Sequence, residues 1–591
     1  MKYFKIIFET SLFAGVGLLL GAIFFRQIVG SNFDLLLGDV GDARLNGVIL
    51  EHWWQVLNGS AKWLSPGFFY PAQGVLGYSD AGFLNALPYV FLRFIGIGSF
   101  TSYQIVLFVL VTIGWGGTIL FFRWILKLSI FPTIAGAALF VFPNSMAIVA
   151  SMHTQFFAVY FLPYLAIGIA LFLQNFKKPS IIGILAGIFV AILIPAIFYT
   201  SYYVGWFFVF YTLLLLGVGY GWCLTHRCGK AVWRNIVYQK ASWQKILPYC
   251  IVSAICFVPF LLTYIPVLQQ FGNRKYRGIA CQLPSLFDYL NVGADNWLYG
   301  KILNGNFAGM NSRPMAHELS KGLPVWTMLV FLLISTYYIW KTVNWQYKES
   351  QDSSSIMILN GIELNDVGKI SIVVASLSLS VLFAWLLMLN IQGISLWWLV
   401  LKLVPGAGGI RAVYRFAHVL AFPISISIAI GLHQLLSYTT NYIHSDGKRN
   451  ALLTFLSIIF LLLLVEQFNT GSLAKYSKQK QQNMMDGVPQ PPQQARVFAL
   501  LPTKGSNKLP YEAQVDAMLI AQKYGLQTIN GYSGQFPHGW DSILHYNKPE
   551  YTVSLNGWIK RHALEDKNLY FFDTTNGVWL PYRSNLIRSD L

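Results

Sequence analysis

The sequence predicts an α-helical polytopic membrane protein of about eleven spans, with surface helices in its first outer loop and a small extracytoplasmic α/β domain at its C-terminus. Three observations predict this. Hydrophobic residues make up 55% of the 591 residues and charged residues 11%, and the mean hydropathy is +0.51, too apolar for an ordinary soluble domain. Eleven stretches reach the roughly 20 mostly apolar residues that a bilayer-crossing helix needs. Basic residues gather in alternate connections between those stretches, as the positive-inside rule requires. That clustering also argues against nucleic acid as a partner, because the net charge of +18 is broken into short topology signals.

The first span, about 8 to 28, follows the basic start Met1-Lys2-Tyr3-Phe4-Lys5, and no clean small-residue cleavage site succeeds it, so it reads as retained. The others cover about 103 to 124, 129 to 149, 155 to 174, 181 to 199, 201 to 222, 246 to 268, 323 to 342, 369 to 389, 417 to 437 and 450 to 468. With the N-terminus in the cytoplasm, the first two inner connections hold Arg123 with Lys127 and Lys177 with Lys178. The next three hold Arg227, Lys230, Arg234, Lys240 and Lys245, then Lys341 and Lys348, then Lys448 and Arg449. The outer segments are then 29 to 102, 269 to 322, 390 to 416 and everything after 469.

Within the first outer loop, residues 43 to 57 set Leu45, Ile49, Trp53 and Val56 on one helical face, the pattern of a helix lying on a bilayer surface. The apolar segment 83 to 97 contains Pro88 and Arg93 and is too short to cross. The segment 394 to 404, ending at Pro405-Gly406-Ala407-Gly408-Gly409, is likewise a half-helix or surface helix. After the last span, Pro489-Gln490-Pro491-Pro492-Gln493-Gln494 marks 469 to 495 as linker. Beyond it, 496 to 501 reads as a strand, 511 to 524 as a helix stopped by Gly525, and 569 to 572 and 578 to 580 as strands. The five cysteines show no disulfide framework, and Cys223 and Cys228 lack a second pair at metal-ligand spacing.

The chemistry-bearing residues lie in the outer loops. Gly38-Asp39-Val40-Gly41-Asp42-Ala43-Arg44 offers two carboxylates and a guanidinium. A positioned carboxylate is a suitable base for an acceptor hydroxyl. Asp42 equally suits the N-cap of the following helix, and Asp39, between glycines, suits a turn. Arg44 can hold a phosphate or snorkel at the headgroups. The run Phe68-Phe69-Tyr70-Pro71 offers Tyr70 as a sugar-stacking surface or as part of an aromatic belt. Asp80 is a further acid in the same loop, and His153 joins the third and fourth spans, where it can bond a phosphate or satisfy backbone groups. Arg274, Lys275 and Arg277 stand outside against the charge trend, followed by His317 and Glu318; no second His completes a zinc-protease pattern. Arg411 and Arg415 are four apart, so on a helix they share a face, where forked donors suit a phosphate and the preceding glycines admit close backbone approach.

With these features the chain resembles the GT-C superfamily of integral-membrane glycosyltransferases over residues 1 to 468. The likeness lies in the first span, the long acidic outer loop, the many-span bundle and the outer tail domain (496 to 591). The resemblance implies a bacterial inner-membrane enzyme that inverts configuration while moving a sugar from a polyprenyl-phosphate donor to a lipid, glycan or protein acceptor. It carries a catalytic carboxylate onto Asp39 and Asp42. Arg411, Arg415 and Arg44 are then expected at the donor phosphate, and Asp80, His153, Glu318 and Tyr70 at the substrates. Two residues separate the acids, where many relatives have them adjacent or one apart, which leaves a divalent cation open. A transporter or flippase of lipid-linked saccharides is the alternative; it calls for ionisable or helix-breaking positions inside the spans.

Overall fold

The computed structural model describes residues 2–176, 180–225, 240–302, 316–344, 367–501, 509–546, 548 and 550–582. Lys177, Lys178, Arg227, Lys230, Arg234, Lys348 and Cys228 lie outside the described residues. Among the described residues, eleven helices are long and apolar enough to cross a membrane: Phe4–Phe24, Ser99–Ile125, Ile130–Ala150, Thr154–Gln174, Ile181–Thr200, Tyr202–Trp222, Gln244–Phe271, Val325–Val343, Ile370–Met388, Val413–Tyr442 and Asp446–Val465. The third and tenth are the most enclosed, whereas the first, seventh and eleventh turn most of their apolar surface outward. Small residues permit the close crossings. Gly114 and Gly117 of the second span lie against the rings of Tyr160 and Tyr164, and Gly136 of the third against Phe122 and Ala429.

The segment 83 to 97 forms a helix of 12 residues, Phe83–Phe94, that is too short to cross. It packs against the Asp42–Leu57 helix, whose apolar face is buried through Leu45, Val48, Ile49 and Trp53. Trp397–Leu403 is a short helix, as its seven residues require.

The tail contains a four-stranded sheet in the order β4-β3-β5-β6, with β3 at Val497–Leu500, β4 at Gln527–Thr528, β5 at Leu569–Asp573 and β6 at Val578–Pro581. β3 pairs parallel with β4 and β5, and β5 antiparallel with β6. Parallel pairing needs crossovers, and the helices Pro510–Tyr524 and Glu550–Arg561 supply them. Gly525 ends the first of these in the left-handed region, at φ +65°.

In 469 to 495, where linker character was expected, Ala474–Ser477 (β2) pairs antiparallel with Leu35–Leu37 (β1), and Lys478–Asp486 is helical. Ser477 caps that helix by accepting from the Lys480 backbone at 3.0 Å. The tail is therefore paired to the first loop where it leaves the bundle.

The first loop and tail meet again along the Asp42–Leu57 helix. Gln522 Nε2 donates to the Val48 carbonyl at 2.8 Å, and Gln55 Nε2 to the Gln522 carbonyl at 2.9 Å. Phe68 and Phe69 are buried, with Phe69 packed on Phe536 and Trp540. The Tyr70 N–H donates to the Thr528 carbonyl at 2.9 Å, and its carbonyl accepts from Trp558 Nε1 at the same distance.

Arg44, expected at a phosphate, is 3% exposed and ion-paired with Asp516 of the tail helix Pro510–Tyr524. Burial makes this a commitment, since a charge out of water needs a fixed partner. Arg44→Met is expected to weaken the docked tail by about 3–5 kcal/mol, read as a lower apparent melting temperature and faster tryptic release of the tail.

Candidate functional site

Four segments far apart in sequence converge at one end of the bundle. Asp42 opens the first-loop helix, His153 precedes the fourth span, Glu318 precedes the eighth and Arg415 begins the tenth. His153 Nδ1 lies 3.1 Å from Asp42 Oδ2, and His153 Nε2 lies 2.8 Å from an Arg415 guanidinium nitrogen. Arg415 Nε donates to Glu318 Oε2 at 3.0 Å, and its Nη2 donates to Glu318 Oε1, forming a forked pair. Lys321 Nζ adds a contact to Glu318 at 2.9 Å. The rings of Phe156 and Tyr203 lie 5.2 and 5.5 Å from the guanidinium carbon.

The donor rules assign the histidine tautomer. A guanidinium only donates, so His153 Nε2 accepts from Arg415, and the proton of the neutral ring stands on Nδ1, toward Asp42. Tyr532 of the tail donates to the other oxygen, Asp42 Oδ1, at 2.9 Å. Burial pushes the Asp42 carboxyl up, but His153 and Tyr532 outweigh it and hold it below the usual range. Burial likewise raises Glu318, yet the charges of Lys321 and Arg415 keep it well below the ordinary value.

Asp39 behaves differently. Its Oδ1 accepts from the backbone of Gly41 at 3.2 Å and of Ala43 at 3.0 Å, so it closes the turn and caps the helix entry. Of the two roles open to Asp42, the capping one falls to Asp39. Burial raises the Asp39 carboxyl, the Ala43 N–H opposes this, and the charge of Asp42 raises it further. Asp80 accepts from Ser201 Oγ at 3.2 Å and from the Tyr202 backbone at 2.9 Å, at the start of the sixth span; burial raises it too.

The pairing of Arg411 with Arg415 on one helical face does not form. Ala412 has φ −88° and ψ 79°, and the helix begins only with the 3-10 turn at Val413, so the i,i+4 relation is lost. Arg415 turns inward to Glu318, whereas Arg411 is exposed. Arg411 instead faces Arg274: burial lowers the Arg274 pKa, Tyr203 opposes this, and the Arg411 charge lowers it further. Among the described residues neither arginine has a carboxylate at ion-pair distance. The glycines ahead of Arg411 are taken up by packing: Gly406 and Gly409 lie against Tyr202, and Gly408 against Asn273.

Tyr203, Tyr532 and Lys321 were not singled out as site residues from sequence. Tyr532 stands in Gly531-Tyr532-Ser533-Gly534, a turn-rich run with no signal tying it to an acid some 490 positions away. Tyr70 meets the tail through its backbone and does not join this cluster. Among the described residues, no group of three or more His, Cys, Asp or Glu is arranged to hold a metal. Both oxygens of Asp42 have neighbours within 3.1 Å, and Asp80 is bonded to Ser201 and Tyr202.

Glu318→Gln leaves Arg415 and Lys321 without their shared anion and is expected to cost about 3–5 kcal/mol in thermal or denaturant unfolding. Arg411→Ala, at an exposed position, is expected to stay within about 0.5 kcal/mol.

No protein-family model and no curated protein matches the chain. Solved structures do. The oligosaccharyltransferase of Archaeoglobus fulgidus, tethered to an acceptor peptide containing the NVT sequon, aligns over 90% of this chain with 12% identity and a TM-score of 0.45. This chain spans 65% of that protein's length. ArnT from Cupriavidus metallidurans in the apo state aligns over 96% of this chain and 93% of its own, with 10% identity and a TM-score of 0.37. The same protein bound to undecaprenyl phosphate aligns over 88% and 85%, with 11% identity and a TM-score of 0.32. At these values the likeness carries no residue role and no reaction over to this chain.

Proposed function

We propose that this chain is an inverting glycosyltransferase that moves a sugar from a polyprenyl-phosphate donor to an acceptor hydroxyl at the outer face of a bacterial inner membrane. The observation that carries the reading is the junction Asp42–His153–Arg415, which brings the acids of the first loop and the arginine of the tenth span into one site. A transporter would place its ionisable groups near the midplane of the spans, whereas these groups lie in loops and at span ends.

Each group has a role in this reading. Asp39 is the base: burial raises its pKa, which makes it the stronger proton acceptor of the two acids, and its Oδ2 is not engaged by the helix cap. As the acceptor oxygen attacks the anomeric carbon, its proton passes to Asp39. The bond from that carbon to the phosphate oxygen breaks, and its electron pair leaves with the phosphate. Asp42, held ionised between His153 and Tyr532, stabilises the positive charge developing on the sugar. Arg274 and Arg411, two cations without counter-ions among the described residues, receive the phosphate. Arg415 is already matched by Glu318 and fixes His153.

Asp39→Asn is the cleanest test, because asparagine caps a helix about as well as aspartate and the substitution removes only the charge. Transfer from a radiolabelled polyprenyl-phosphate sugar is expected to fall about 10²–10⁴-fold with the fold intact. Undiminished transfer in both Asp39→Asn and Asp42→Asn defeats the reading. The pH profile separates the two acids. With Asp39 as base, the acid limb of kcat/KM lies above about 3.9, the ordinary aspartate value; with Asp42 it lies below.

Arg274→Ala and Arg411→Ala are expected to raise the donor KM and to flatten its dependence on salt, while leaving the pH limb in place. The orientation follows the positive-inside reading, and an impermeant thiol reagent should reach a cysteine placed in the tail from outside. Assay in chelator followed by metal replacement addresses the divalent cation.

A further inference from the structure

A cavity of about 400 Å³ lies behind the Asp42–Leu57 helix, walled by the Phe83–Phe94 helix, the start of the second span and the tail helices Lys478–Asp486 and Pro510–Tyr524. Neither Asp42, His153, Glu318 nor Arg415 lines it, so it is distinct from the cluster described above. Its size is that of a small-molecule site.

Every charged side chain on its wall already has an opposite partner. Arg93 pairs with Glu51 at 2.9 Å, Lys523 with Asp486 at 3.7 Å, and Arg44 with Asp516. The cavity therefore favours an uncharged occupant. Between the ion pairs stand aromatic side chains, Trp54, Phe100 and Tyr103, and polar ones such as Gln55 and Gln522.

Gly47 gives the second observation. It lies inside the Asp42–Leu57 helix, where glycine is destabilising relative to alanine. A Cβ there would meet only Tyr103 Cδ2, at 3.8 Å, an ordinary contact. Packing does not require the glycine; the missing side chain keeps the cavity open.

We propose that this cavity binds a saccharide unit of the acceptor. A sugar ring is uncharged, has hydroxyls that both donate and accept, and presents C–H faces to aromatic rings, which matches the wall in each respect. Tyr103 connects the cavity to the reaction centre, since its hydroxyl lies 2.9 Å from that of Thr154, the residue after His153. The word acceptor rests on the transferase reading; saccharide binding does not.

Saturation-transfer NMR on the full-length protein in nanodiscs, with a panel of methyl hexosides as probes, tests the proposal. At least one hexoside is expected to bind the wild type. Gly47→Phe, which fills the cavity, is expected to weaken it about tenfold or more, and Trp54→Ala to weaken it as well, while Gly47→Ala retains most of the signal. No hexoside signal on the wild type overturns the proposal, as does a signal kept by both Gly47→Phe and Trp54→Ala. Should Gly47→Phe fail to fold, Trp54→Ala decides alone. Normal transfer in the Asp39→Asn and Asp42→Asn variants, with hexoside binding intact, removes the acceptor assignment and leaves a saccharide site.

Discussion

A guanidinium can stay buried only if a carboxylate meets it in fixed geometry, and Arg415 satisfies this condition through its forked contact with Glu318. Much of the site's arrangement follows from that pair. Once Arg415 is fixed, the same Nη2 that meets Glu318 also reaches His153 Nε2, which must accept, and the ring proton is left on Nδ1, 3.1 Å from Asp42 Oδ2. A single buried ion pair thus sets the tautomer of a histidine that stands beside an acid of the first loop. It also ties the loop before the eighth span to the tenth and, through His153, to the junction of the third and fourth.

The tail domain extends the same constraint from the other side. Tyr532 holds the second oxygen of Asp42, and Arg44, near the start of the same helix, is fixed by Asp516. The helix carrying Asp42 is therefore held both by the bundle and by the tail. β1 and β2 close the arrangement where the chain leaves the last span. A tail tethered only by a flexible linker could not position a hydroxyl to within hydrogen-bond distance of an acid; a paired strand and a buried ion pair can.

The fold was legible because membrane insertion leaves a coarse, redundant record in sequence. Apolar length identified the spans, and the proline and short run of 83 to 97 kept that segment from being counted as one. Turn chemistry at Gly525 fixed the end of a tail helix. The candidate site was legible only as a set of residue types in loops. Asp39, Asp42, His153, Glu318 and Arg415 all stand at one end of the bundle, but their partners are chosen by tertiary packing. The same helical arithmetic that placed Arg411 beside Arg415 fails because the backbone at Ala412 is not helical. Arg44 and the Phe68–Tyr70 run were read as facing lipid or substrate; their partners lie more than 400 residues away in the tail, beyond the reach of any local pattern.

The charges at the site divide by solvation, and that division argues for their roles. Glu318, Arg415 and Lys321 are buried and mutually compensated, so an incoming phosphate gains little by approaching them and would break an interaction already paid for in desolvation. Arg411 is exposed and Arg274 half-buried, and they repel one another with no internal counter-ion among the described residues. A phosphate placed between two such cations relieves their repulsion as well as gaining its own contacts. Its binding then draws on energy that the empty site lacks. In the proposed transfer, negative charge growing on the phosphate as the bond to the sugar breaks would strengthen that interaction further. Compensated charge in the interior thus preserves the geometry, and the uncompensated charge of Arg274 and Arg411 is what the departing anion of the proposed transfer would use.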